Sequence, residues 1–139
     1  MEASVKAWRR QQRTALLERR THIGSEERRR ITDVVADRLN QILARTGSRV
    51  IGLYWPIKHE INLIPWARDL VQRTGVTLCL PVVVTPKAPL EYWRWTPGEP
   101  MRPGFWDIPM PAEREVVWPD VVLAPLVGFD NCGYRLGYG

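Results

Sequence analysis

The segment from Arg49 to Leu80 constrains the fold most. Arg49–Tyr54 (RVIGLY) is a short apolar run with β-branched members, ended by Pro56, and reads as a strand. Asn62 to Thr74 then carries helical signals, with Asn62 as cap, Pro65 near the start where a missing N–H is tolerated, and Gly75 as the stop. Leu63, Trp66, Leu70 and Val71 would face the sheet. Val76–Leu80 is a second strand, cut by Pro81, after which Val82–Val84 continue in extended form. Strand, helix and strand at this spacing form a βαβ unit, which implies a parallel pair joined by a right-handed crossover. The chain is therefore expected to be α/β, with a mostly parallel sheet flanked by helices.

Two helices precede this unit. Residues 3 to 20 carry a loose apolar stripe of Val5, Trp8, Ala15 and Leu16, interrupted by Gln12, so one face is expected to dock and the other to stay wet. The second helix opens with Ser25 as N-cap and Glu26 and Glu27 in the first turn, runs to about Arg45, and has Gly47 just past its end. Downstream, Leu90–Trp95 suggests an edge strand or hairpin arm, and residues 96–104 an ordered loop punctuated by Pro and Gly. Trp106–Pro111 (WDIPMP) is too proline-rich for a helix interior and too apolar for a solvated linker, and is expected to pack over something. Val121–Ala124 reads as a buried strand, and Asp130, Asn131 and Gly133 supply turn chemistry after it.

Length and charge limit the classes of function. The 139 residues suit one domain, with helices over 3–45 and an α/β core over 49–139. Residues 1–49 carry 12 Lys/Arg against 6 Asp/Glu, whereas residues 50–139 carry 8 against 9, so the basic balance belongs to the N-terminal helices. Such a field gathers nucleic acid or a polyanionic small molecule such as a nucleotide or folate. Cys79 lies in an apolar run and reads as buried, while Cys132 lies in a turn. No disulfide framework, metal-ligand spacing, signal peptide or membrane-length apolar stretch is present, and a reducing cytoplasmic setting is the default.

Three constellations carry chemistry. Tyr54 and Glu60 sit on the loop after the first strand, where ligands bind in open α/β sheets; they can stack on a flat heterocycle and accept its N–H donors, or serve as sheet core and helix start. Trp106, braced by prolines, is a ligand clamp, an interface anchor or core filling. Lys6, Arg9, Arg10 and Arg13 crowd the first helix, and Lys6 with Arg9 or Arg10 has the i,i+3 or i,i+4 spacing that brings two cations to one triphosphate. The bland alternative is a solvated face. Arg135, Gly137 and Gly139 extend the list, pairing a planar cation with backbone free for close approach. No GxGxxG or GxxxxGK[ST] follows a strand, and no nucleophile–histidine arrangement supports covalent catalysis.

In order along the chain, these residues resemble the 5-formyltetrahydrofolate cyclo-ligase (methenyltetrahydrofolate synthetase) family. VKAWRRQQRTALLERR is similar to the family's opening Lys-x-x-Leu-Arg helix, SEERRRITDVVADRL to its second helix, and IGLYWPIKHEI to its substrate loop. CLPVV, WDIPMP and FDNCGYRLGYG resemble its second strand, its pterin-covering segment and its Phe-Asp-x-x-Gly-x-Arg-Leu-Gly-x-Gly run. The resemblance implies a three-layer α/β/α architecture of the CoA-transferase-like kind and a monomer. It also implies ring closure that depends on ATP and Mg²⁺: the formyl oxygen attacks the γ-phosphate, N10 then attacks the activated carbon, and phosphate leaves. It assigns the folate to Tyr54, Glu60 and Trp106, and phosphate handling to Lys6, Arg9 or Arg10, Arg135 and the Gly137–Tyr138–Gly139 backbone. Arg135 is the residue it marks as catalytic, and no protein metal ligand is assigned.

The family's loop continues into Lys-Gly-Tyr-Tyr-Asp, and this sequence ends before it. The expectation is accordingly a domain incomplete at its C-terminus, with weak or no activity as it stands. One rival reading is a relative that binds folate or nucleotide without turnover. Another is a nucleic-acid module using Arg28, Arg29 and Arg30, for which the sequence offers charge but no readout element.

Overall fold

The computed structural model describes residues 2–138. Its central sheet contains four short strands. β1 (Val50–Gly52) lies between β2 (Thr77–Val82) and β6 (Val121–Val122), parallel to both, and β3 (Glu91–Arg94) pairs antiparallel on the outer edge of β2. The expected βαβ unit is present: β1 leads through α3 (Ile64–Thr74) into β2, with Ile51 opposite Leu78. The fold is mixed α/β with a mostly parallel sheet, as the sequence indicates.

Period-two alternation sends Ile51, Leu53, Leu78 and Leu80 to one face, where they are essentially inaccessible to solvent. α3 covers that face with Ile64, Trp66, Ala67 and Leu70, and α2 (Ser25–Thr46) adds Leu43 with the partly buried Val35 and Leu39. Trp66 Nε1 donates to Asn40 Oδ1 at 2.8 Å and so ties the two helices together. Both helices end on a left-handed glycine, Gly47 (φ 63°) and Gly75 (φ 70°), whose N–H closes on the carbonyl of Leu43 and Val71 respectively. A Cβ is disfavoured there, so Gly47→Ala is expected to cost about 1 kcal/mol. Urea unfolding checks this, the midpoint falling with an unchanged slope.

Several boundaries differ from the sequence reading. Gly24, not Ser25, is the N-cap of α2, and Ser25 is already helical. Leu63 caps α3, while Asn62 Oδ1 accepts the Ile64 N–H at 3.0 Å, so the Asn acts one residue further out than a cap. β2 runs through Pro81 instead of stopping there. Leu78 O accepts from Trp95 on the β3 side and Cys79 O from Leu53 on the β1 side. The alternation therefore turns the missing N–H of Pro81 toward β1, which has ended at Gly52. β1 and β6 are shorter than read. Asp120 completes the start of their pairing, its Oδ2 accepting from the N–H groups of Arg49 and Val50.

α1 (Glu2–Thr21) buries no residue, and Val5 and Trp8 of the proposed stripe are exposed. Of that stripe only Leu16 turns inward, beside Gln12, Arg13, Leu17 and Arg20, while Ala15 is exposed. Arginine can occupy a docking face because loop carbonyls satisfy it: Arg13 Nε donates to Gly137 O at 2.8 Å and Arg20 Nε to Lys58 O at 3.0 Å. Two small hairpins complete the chain: β4 (Met101–Pro103) with β5 (Pro109–Pro111), and β7 (Gly128–Phe129) with β8 (Arg135–Leu136). No helix of the described residues is long and apolar enough to cross a membrane.

Candidate active site

Strand order reverses at β1, with the crossover going one way to β2 and the parallel β6 lying on the other side. The carboxyl ends of strands at such a switch point open a crevice. Here it is a cavity of about 450 Å³, walled by Tyr54, Glu60, Arg20 and Arg28 and by apolar side chains including Val35, Leu39 and Leu123.

The loop after β1 is built to aim Glu60. Glu60 N donates to Ile57 O, and Ile57 N donates back to Glu60 Oε1, both at 2.9 Å. Between them Lys58 (φ 47°) and His59 (φ 64°) are both left-handed, a tight turn that costs non-glycine residues about 1–2 kcal/mol each. The second carboxylate oxygen, Oε2, is buried without a hydrogen bond of good geometry. Burial raises the Tyr138 phenol above its ordinary value, and Glu60 stands close enough to that hydroxyl to add to the rise. Tyr54 closes the loop, its hydroxyl donating to Ile61 O at 2.9 Å. Burial first, and then the Glu60 charge, push the Tyr54 phenol up to about 12 from an ordinary 10. Folding thus favours the neutral phenol: the unfolded chain loses this proton near pH 10 and the folded chain only near 12. Stability is accordingly expected to fall as pH rises across that window. Tyr54→Phe should flatten the decline, as denaturation at stepped alkaline pH would register.

A second recess, of about 940 Å³, is lined by Lys6, Arg9, Arg10, Arg13 and Tyr138 together with Glu2 and Val5. The linings of the two recesses meet where Arg20, on the cavity wall, donates through Nη2 to the Tyr138 hydroxyl at 2.6 Å. Arg20 also donates to Leu126 O, and the Lys58 ammonium lies 5.3 Å from the centre of the Tyr138 ring. The β7–β8 turn beside them is preformed, with Asp130 Oδ1 accepting from the N–H groups of Cys132 and Tyr134.

The sequence candidates thus fall into groups. Tyr54 and Glu60 share the first cavity; Lys6, Arg9, Arg10 and Tyr138 share the second recess, with Gly137 tied to Arg13. Arg135 is exposed and lines a smaller neighbouring recess, which Arg9 also reaches. Gly139 lies outside the described residues. Trp106 is not brought to either cavity: it stands 76% exposed in the turn joining β4 to β5, in contact with the Phe105 ring. The Gly104 N–H to Ile108 O bond closes that turn, and left-handed Trp106 and Asp107 turn outward, so within the Trp106–Pro111 segment only Ile108–Pro111 pack, with Pro111 buried, and Trp106 itself does not.

Arg20 was missed in the sequence, although it lies seven residues, two helical turns, after Arg13 on the same face. Arg28, one of the three arginines of the nucleic-acid reading, is half-buried on the first cavity wall; Arg30 instead pairs with Glu27 at 2.6 Å.

The fold and the paired recesses define an α/β protein with a ligand crevice at the switch point of its sheet. The chain belongs to the 5-formyltetrahydrofolate cyclo-ligase family, whose sequence model matches residues 5–139. It is similar in structure to 5,10-methenyltetrahydrofolate synthetase of Aquifex aeolicus, with a TM-score of 0.79 and 30% identity over 94% of this chain and 67% of that one. A 5,10-methenyltetrahydrofolate synthetase from Mycoplasma pneumoniae shares the fold, with a TM-score of 0.74 and 21% identity over 94% of this chain and 71% of that one. Comparison with curated proteins gives no match.

Proposed function

We propose that the protein cyclises 5-formyltetrahydrofolate to 5,10-methenyltetrahydrofolate at the expense of ATP, releasing ADP and phosphate. The observation that carries this reading is the pair of adjoining recesses, one apolar with a buried, half-unpaired carboxylate and one lined by four cations, whose linings meet at the Arg20–Tyr138 bond. Glu60 accepts N–H donors of the folate ring, and Tyr54 fixes the loop that presents it. Lys6, Arg9 and Arg10 suit the oxygens of a triphosphate, and Arg13 holds the Gly137 backbone beside them. Arg135 is assigned to the outer edge of the phosphate recess, beside Arg9. Trp106 is left out of the assignment because its ring lines neither recess.

Bound Mg·ATP supplies the phosphoryl group that makes the formyl oxygen a leaving group. Among the described residues no three of His, Cys, Asp and Glu converge as a ligand set. A magnesium ion would be carried on the nucleotide's phosphates, the usual preference of this hard, strongly hydrated cation. The protein's own part is positioning and charge stabilisation: the crevice holds the folate against the cationic recess, and guanidinium groups meet the charge spread over the transferring phosphoryl oxygens.

Fluorescence titration tests the reading. Folate and Mg·ATP are expected to bind simultaneously and saturably, with ATP affinity falling steeply with salt and folate affinity changing little. Failure of either ligand to bind, or mutual exclusion between them, rejects it.

A further inference from the structure

A cavity that reads a flat heterocycle needs polar atoms not already committed to the protein, and its wall carries two. Glu60 Oε2 and Arg28 Nε are both buried without a hydrogen-bond partner, and both residues line the 450 Å³ cavity. One is an acceptor and the other a donor. Each side chain is anchored by its other end: Glu60 Oε1 accepts the Ile57 N–H, and Arg28 Nη2 donates to Ile23 O at 2.8 Å. The two are not an ion pair with each other; the ion pairs among the described residues are Arg30–Glu27, Arg73–Asp69, Arg94–Glu115 and Arg114–Glu91. The neighbouring donors are largely engaged: Arg20 gives one N–H of each guanidinium nitrogen to Lys58 O, Leu126 O and the Tyr138 hydroxyl, the Tyr54 hydroxyl is spent on Ile61 O, and His59 on the same wall is exposed.

We infer that Arg28 is a specificity-determining residue, donating through Nε to the ring oxo group of the substrate's 2-amino-4-oxo heterocycle while Glu60 accepts from the adjoining ring and amino N–H groups. The inference rests on the reduced-folate reading above. That heterocycle presents two donors and one acceptor along a single edge. A carboxylate answers only the donors, and the oxo oxygen would be buried unpaired unless a donor stood beside Glu60. Sites built to bond a substrate's polar group reject analogues that cannot form the bond, so this contact sets ring selectivity.

The test compares a reduced pteridine with its 4-thioxo counterpart, which keeps the N–H donors offered to Glu60 and weakens only the acceptor. Binding of each is followed by fluorescence on the full chain, for wild type, R28Q and R28M; the methionine keeps the aliphatic stem that packs beneath the guanidinium. Wild type is expected to bind the oxo ring roughly tenfold more tightly, and both variants to bring the ratio close to one by weakening the oxo ring alone. An unchanged ratio in both variants overturns the inference. So does equal weakening of both rings in both variants, which would make Arg28 a prop for Glu60. Wild type that binds neither ring rejects the reduced-folate reading itself, a result distinct from either of these.

Discussion

Glu60→Gln is expected to lower kcat/KM for 5-formyltetrahydrofolate by roughly 10²–10³-fold, with the fold unchanged. The amide keeps an oxygen able to accept the Ile57 N–H that Oε1 now holds at 2.9 Å, so the strained turn through Lys58 and His59 persists. What changes is the second, buried position. Oε2 is an acceptor without a protein partner, and in the variant an NH₂ stands there, turning its donors toward donors of the ring. Losing a charged acceptor and burying an unpaired donor act in the same direction. Tyr54→Phe makes a useful contrast. Its hydroxyl is already spent on Ile61 O, so its removal loosens the loop without removing a ligand contact and is expected to cost roughly tenfold or less. Steady-state kinetics alongside thermal unfolding would check both. A Glu60→Gln enzyme within about threefold of wild type would contradict the assignment.

The second large effect is expected in the cationic recess. Combined replacement of Lys6 and Arg10 by alanine should raise the KM for ATP by roughly 10²-fold while leaving folate affinity within a factor of about two. Both side chains line the same recess, and neither has an ion-pair partner among the described residues. Their removal therefore leaves no orphaned carboxylate to confuse the result, and the salt dependence of ATP binding should weaken in step. Arg13 is predicted to behave differently. Its Nε holds Gly137 O at 2.8 Å, so Arg13→Ala loosens the loop that carries Tyr138 and, through the Arg20–Tyr138 bond, the wall of the folate cavity. Weakening of both substrates by Arg13→Ala, against weakening of ATP alone by the double variant, is the pattern that separates a positioning arginine from phosphate-binding ones. Parallel loss of both substrates in the double variant would count against a separate phosphate recess.

Elements set by local periodicity were legible in the sequence. The apolar faces of α2 and α3, their glycine stops and the βαβ unit follow from spacing alone, because 3.6-residue and two-residue repeats decide which side chains meet. Pro81 misled because proline forbids a bond only on the side its nitrogen faces, and that side becomes visible only once the register against β1 and β3 is known. α1 was misread for a related reason: an apolar stripe predicts docking through hydrophobic burial, whereas this helix docks through arginines satisfied by carbonyls of loops more than 35 residues away. At the candidate site, Tyr54 and Glu60 were legible as a loop after a strand, and the crowding of Lys6, Arg9 and Arg10 as helical spacing. The Arg28 contribution was not, since three consecutive arginines look alike until one of them turns into a cavity.

The most direct measurement is formation of 5,10-methenyltetrahydrofolate, followed by its absorbance, with the full chain, 5-formyltetrahydrofolate and Mg²⁺, in the presence and absence of ATP. The account predicts product only with ATP, one phosphate released per ring closed, and loss of that signal in Glu60→Gln. Product formed equally without ATP, or undiminished in Glu60→Gln, would contradict it.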